Sequence, residues 1–344
     1  MKTFLQSASR LQLPWLYVTC IALLSFSLGC NKVPDNLPTL HITTVASGLV
    51  SPMGLETDAG GNIWICETGT AAHDGKVVVV TPSGEVYDAI VNLASINNAV
   101  SGEVEGPAHL LLDKGVLHVL AGNYLYNINV SNFKPGDTPI DASTLPYEDI
   151  GSFVLSYPFV NNAHDTHPYN LTKGPEGDLY IADAGANAVL HRKGANQYTV
   201  LAELPNVANP TPIGSPEIQC VPTGIMYDGR DFLVTTLTGF PFPTGSALIY
   251  KISMSGSVSV YQDGLTTLVD IAEGHSLGHL VLQHATFGLK GFEPNSGALV
   301  WANGKTIRQL AGGLNIPVGL KQVNIRTWYI TSLGDGTLLK AAYY

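Results

Sequence analysis

The chain has 344 residues, 36 of them Gly and 21 Pro, with 13% charged side chains and a net charge of −10. So acidic a chain, poor in cations, excludes nucleic acid as a partner, because phosphate recognition needs clustered Lys and Arg. The length suffices to bury a large core, and the near absence of a 3.6-residue apolar period predicts a turn-rich, all-β protein with very little helix.

Residues 1–29 read as an export signal. Lys2 and Arg10 flank the start of an apolar run over residues 16–24, which ends at Ser27-Leu28-Gly29-Cys30. A small residue directly before a cysteine resembles the lipobox of bacterial lipoproteins, although Ser27 and Leu28 stand where that motif prefers Leu and a small residue. The resemblance implies a lipid on Cys30 as the one membrane attachment, in the outer membrane or on the periplasmic face of the cell envelope. The alternative is a secreted or periplasmic protein cleaved nearby. Loss of residues 1–29 removes two basic groups and no acidic ones, leaving 15 basic against 27 acidic side chains, a net charge of −12. Residues 30–40 form a polar, Pro-containing tether, and residues 41–344 are expected to form a single domain.

A phrase then returns six times, starting at Pro52, Pro107, Pro168, Pro222, Thr267 and Pro317, at intervals of 45 to 61 residues. Each copy pairs a short apolar stretch with a turn and a second strand, as in Pro52-Met53-Gly54-Leu55 followed by Ile63-Trp64-Ile65. Short strands repeating at this period specify a six-bladed β-propeller. The last copy lacks an outer strand, and the orphan strand at residues 42–46 is its natural donor, so the N-terminus is expected to close the ring. Closure removes the exposed edges that an open β array would carry. Residues 132–156 interrupt the second blade and read as a candidate lid or as a decorative insertion.

In a propeller the innermost strands face a central channel. Aligning the copies places Gly54, His109, Asn170, Gly224, Asp270 and Gly319 at one level of it. The ends of the second strands give another ring: Glu67, Ala121, Asp183, Thr236, His284 and Ser332. His167 joins them on the face where the inner strands begin. Glu67, Asp183 and Asp270 are the candidate metal ligands, because carboxylates suit Ca²⁺ and added imidazole shifts the preference towards Zn²⁺, Mn²⁺ or Fe²⁺. His109 and His284 are the candidate proton-transfer groups. The competing reading is a wet channel whose polar groups only satisfy water and strand termini, with no cofactor.

Cys66 and Cys220 fall in opposite blades, too far apart for a disulfide. No Gly-x-Ser-x-Gly, Gly-x-x-x-x-Gly-Lys or Cys-x-x-Cys motif occurs. The segment Gly239-Phe240-Pro241-Phe242-Pro243 is an extended, rigid loop in which proline holds two phenylalanines outward. Phe240 and Phe242, with His167 and Asn170, are the candidate ligand-binding residues; the loop serves equally well to cap the edge of the fourth blade.

Three stretches carry a resemblance: residues 167–187, the segment Val221-Pro222-Thr223-Gly224 with residues 237–247, and residues 263–271. With the opening at residues 48–64, they resemble the ScyD/ScyE-type propellers, within the wider set of NHL-like and gluconolactonase-like propellers. This implies an exported propeller without an assigned reaction. Family members commonly carry Glu where Thr236 stands, and Gly where His109 and Asn170 stand. The expected function is an envelope-anchored binding or accessory module for a small molecule or an envelope protein. The alternative is a metal-dependent hydrolase or lactonase of the gluconolactonase and paraoxonase kind.

Overall fold

A computed structural model describes residues 39–98, 102–160, 164–275 and 278–343. The expected export signal, Cys30 and nearly all of the tether lie outside the described residues. Six sheets, each built on four or fewer consecutive antiparallel strands, form the blades of a β-propeller. Their innermost strands are Pro52–Thr57, Pro107–Asp113, Pro168–Lys173, Pro222–Tyr227, Leu268–Glu273 and Pro317–Asn324. The outermost strand of blade 6 is the N-terminal Leu40–Ser47, which pairs antiparallel with the C-terminal Thr337–Tyr343 from Leu40–Tyr343 to Ser47–Thr337. The two chain ends therefore close the ring, as the missing last strand predicts.

Among the described residues helix is confined to the single turn Ala142–Thr144 and the short helix Ile150–Ser156. Among the described residues no helix is long and apolar enough to cross a membrane.

Blades adhere through apolar layers between neighbours. Trp64, Val77, Val79, Leu117 and Val119 join blades 1 and 2. Tyr180, Val189, Phe232 and Val234 join blades 3 and 4. Each such side chain, fully buried, stabilises by about 1.5–3 kcal/mol. Tryptophans add polar latches: Trp328 in blade 6 is completely buried and donates its indole N–H to the Glu273 carbonyl of blade 5 at 3.0 Å. Cys66 and Cys220 are buried and free. Burial pushes the Cys66 thiol well up and the Cys220 thiol to about 12, so both behave as apolar core.

The segment at residues 132–156 is no lid. Ile140–Asp141 adds a parallel strand to the outside of blade 1, and Tyr147–Asp149 supplies the outer strand of blade 2. Ile150 and Val154 of the following helix pack with Leu120, Leu125 and Ile181 between blades 2 and 3. Apolar residues spaced for burial hold the insertion on the rim of the disc, away from the axis.

The two faces of the disc differ. Where the inner strands end, the turns are short. Where they begin, the loops are long: the described segments 94–98, 102–106, 157–160, 164–167 and 204–221 between blades, and residues 237–246 and 284–296 within blades 4 and 5. Loops of this kind on a rigid scaffold are where binding residues concentrate.

Candidate functional site

Every inner strand carries a bulge just after its start. The register with the second strand slips between Pro52 and Leu55, Pro107 and His109, Pro168 and Asn170, Pro222 and Ile225, Leu268 and Asp270, and Pro317 and Leu320. The pairing also corrects the alignment of blade 5. Leu268, not Thr267, opens its inner strand, and Gln283, not His284, is opposite it. Thr267 instead has the left-handed φ (38°) that Ser51, Val221 and Ile316 also have directly before their strands. Blade 5 has no proline at this point, so the one-residue offset left no mark in the sequence.

The bulge aims the ring of Gly54, His109, Asn170, Gly224, Asp270 and Gly319 towards the axis, and the three polar members find one another. The Asp270 carboxylate accepts from Asn170 Nδ2 at 3.0 Å, from the backbone N–H of Leu320 at 2.7 Å and from that of Ile271 at 2.9 Å. His109 Nε2 lies 3.4 Å from the same carboxylate. Asn170 Oδ1 accepts from the Leu171 N–H at 2.7 Å. The glycines make this possible. A Cβ on Gly54 would meet the His109 ring at 2.4 Å, and one on Gly224 would meet the Asp270 backbone at 2.6 Å.

On the side where the strands begin, the polar ring is covered by Ala108, Tyr169, Ala184 and Val318, with Met53 and Val221 packed against them. Burial, reinforced by the Asp270 charge, pushes the Tyr169 phenol well above its ordinary range. On the other side His109, Asn170 and Asp270 line a cavity of about 220 Å³, bordered further out by Thr172, Met226, Ala272 and the ion pair of Lys321 with Glu56, 2.8 Å apart.

The second ring is occupied with local structure. Asp183 accepts from the N–H groups of His167 (2.7 Å) and Ala186 (2.9 Å) and from the Thr166 hydroxyl (2.7 Å). Glu67 accepts from the Val50 N–H at 2.8 Å and faces Lys76 at 3.2 Å. Thr236 binds the Leu248 N–H, and Ser332 donates to the Asn315 carbonyl. These side chains fasten the loops of the face on which they lie. The three candidate metal ligands are thus committed separately, Asp270 at the axis and Glu67 and Asp183 to their own blades. Among the described residues no three His, Cys, Asp or Glu side chains come together so as to hold a metal ion. The donor set does not fit a channel metal.

His167 has a partner that sequence reasoning missed. Its Nδ1 lies 3.2 Å from Glu105 Oε1, which also accepts from Asn98 Nδ2 at 2.6 Å. Asn98 reaches Asp165 at 3.3 Å, so two inter-blade loops meet here. Burial, with Asp165 and Glu103 adding like charge against the Asn98 hydrogen bond, pushes the Glu105 carboxyl up to about 7. Burial lowers the His167 imidazole. Glu105 Oε2 is buried with no hydrogen-bond partner. The signal available in the sequence was an acidic residue two places before Pro107, visible only once the loop is known to fold inward.

Phe240 and Phe242 are not alone. The loop at 284–296 forms a small hairpin, Phe287–Gly288 against Gly291–Phe292. Phe242 approaches Phe287 at 4.8 Å and Phe292 at 4.9 Å, and Phe240 stands edge-on to Phe287 at 6.0 Å. His284 stands edge-on to Phe292 at 5.0 Å. Phe240 is 58% exposed, and Leu289 at the hairpin tip is fully exposed. This exposed apolar group stands on the face that carries the long loops. His284 belongs to this group, not to the channel ring.

No protein-family model matches the chain, and no curated protein does. Its fold is similar to that of solved propeller structures. One is a virginiamycin B lyase from Staphylococcus aureus, 13% identical over 89% of this chain and 99% of that one, TM-score 0.50. Another is the PQQ-bound aldose sugar dehydrogenase from Streptomyces coelicolor, 14% identical over 89% and 99%, TM-score 0.57. A gluconolactonase-like protein is 10% identical over 88% and 92%, TM-score 0.53. At these identities the likeness shows the fold alone, a β-propeller on which different chemistries occur.

Proposed function

We propose that the chain is an exported, envelope-anchored binding or accessory module that engages a small molecule on the face where its inner strands begin. One observation carries this reading. An apolar layer covers the polar residues of the channel on that face, while four phenylalanines and the long loops gather there. The ScyD/ScyE-type motifs support it, since Phe240 and Phe242 lie within one of them.

An anchor at Cys30 is part of this reading. Leu40 enters blade 6 beside Tyr343, on the face opposite the aromatic group, and Ser47 ends on the aromatic side. Radiolabelled palmitate should enter the native chain and not Cys30→Ala.

Metal-assisted hydrolysis, the other reading, lacks a supporting donor set because Glu67, Asp183 and Asp270 do not converge. The binding reading is tested with toluene followed by NMR. Saturable shifts in residues 237–246 are expected, and their loss in Phe240→Ala/Phe242→Ala. Aromatic compounds that shift neither loop of that face would overturn it.

A further inference from the structure

The aromatic group has apolar walls and one polar atom whose chemistry the structure fixes. Phe240, Phe242, Phe287 and Phe292 contribute rings with centroids 4.8 to 6.4 Å apart. None carries a donor or an acceptor. His284 meets them at Phe292, its ring nearly perpendicular at 87°.

The imidazole is held in one tautomer. His284 Nδ1 lies 3.1 Å from the Pro317 carbonyl oxygen, which can only accept. Nδ1 therefore carries the proton, and the neutral ring offers Nε2 as a lone-pair acceptor. Burial lowers the pKa of His284, which favours the neutral ring. No described residue donates to Nε2, and that atom is not among the buried ones left without a partner. It remains available to a ligand.

Resting on the binding reading above, we propose that this surface takes a small aromatic ligand bearing one hydrogen-bond donor, a phenol being the simplest, with the ring against the phenylalanines and the donor directed at His284 Nε2. The neighbouring chemistries fit less well. A sugar would set several hydroxyls against rings that cannot accept them. A carboxylate would meet a lone pair rather than a proton. A plain hydrocarbon would cover Nε2 and leave it without a donor, which costs free energy. An aromatic ring suits these walls because edge-to-face and tilted contacts, the geometry the four phenylalanines already adopt, extend readily to one more ring.

The test compares p-cresol with 4-methylanisole, the same molecule with its donor methylated, by NMR titration of the full-length protein. The native protein should bind p-cresol about fivefold or more tightly than 4-methylanisole, the factor that one net hydrogen bond supplies. The ¹⁵N resonance of His284 Nε2 should move on saturation with p-cresol only. His284→Phe should erase the preference while retaining affinity for 4-methylanisole, and His284→Gln, which restores an acceptor, should recover part of it. Equal affinity for both compounds in the native protein would overturn the donor assignment and leave the binding reading intact. Failure of both compounds to bind would overturn the two together.

Discussion

Asn170 donates its side-chain amide to the Asp270 carboxylate at 3.0 Å, joining blade 3 to blade 5 across the axis although a hundred residues separate them. His109 and the Leu320 N–H bring blades 2 and 6 to the same carboxylate. Asp270 is thus a hub that ties four of the six blades together, and this explains why a charged group tolerates burial there.

Removing the hub should be costly. Asp270→Ala leaves buried donors from three other blades unpaired and should lower stability by about 3–5 kcal/mol, the usual range for breaking a buried charged cluster from one side. Asn170→Ala should cost less, on the order of 1–2 kcal/mol, because Asp270 keeps its two backbone donors. Urea unfolding of both variants checks the order as well as the size.

Closure by the two chain ends makes stability a property of the whole ring. Deleting residues 40–47 strips blade 6 of its outer strand and exposes the edge of Thr337–Tyr343. The deletion should lower the midpoint of the entire unfolding transition. A native-like midpoint by circular dichroism, with only the end of the chain frayed, would contradict this.

The Glu105–His167 contact predicts a pH dependence. A carboxyl raised from 4.5 to about 7 favours folding while protonated; that contribution is complete below pH 4.5 and is lost as the pH rises through 7. It amounts to roughly 3 kcal/mol, about two and a half pH units at 1.36 kcal/mol each. His167, lowered by burial, acts in the opposite sense: its contribution is present above the ordinary imidazole pKa and is lost as the pH falls. The difference between native protein and Glu105→Gln isolates the carboxyl. The variant should gain on the native protein steadily between pH 4.5 and 7, measured by urea midpoints.

The arrangement of the carboxylates predicts no resident metal in the channel. Elemental analysis of the dialysed protein should find less than stoichiometric Ca, Mn, Fe or Zn, and these ions should not raise the melting temperature. One equivalent of metal, lost in Asp270→Asn, would revive the hydrolase reading.

Much of the scaffold was legible because a propeller repeats its instructions. The six phrases gave the blades, the missing outer strand gave the closure, and the alternation of glycine with His109, Asn170 and Asp270 marked the axis. The sequence was least legible where the copies lack a marker. Blade 5 opens with Leu268 in place of proline, which moved the alignment by one residue and put His284 in the channel ring. The hairpin at Phe287–Phe292 has strands of two residues, too short for any periodicity, so the partners of Phe240 and Phe242 were invisible. Glu105 gained its role from the folding of two loops against each other, which no local pattern encodes. The second ring had the expected residues in a different role. Asp183 and Glu67 fasten loops, because loop N–H groups on that face need acceptors.

The central claim is that ligands engage the phenylalanine surface rather than the axial cavity. Mapping the backbone amide shifts caused by p-cresol tests it most directly. Shifts confined to residues 237–246, 284–296 and the neighbourhood of Pro317 are predicted. Shifts centred on Thr172, Met226 and Ala272, which border the axial cavity, would contradict the account and place the binding site in the channel.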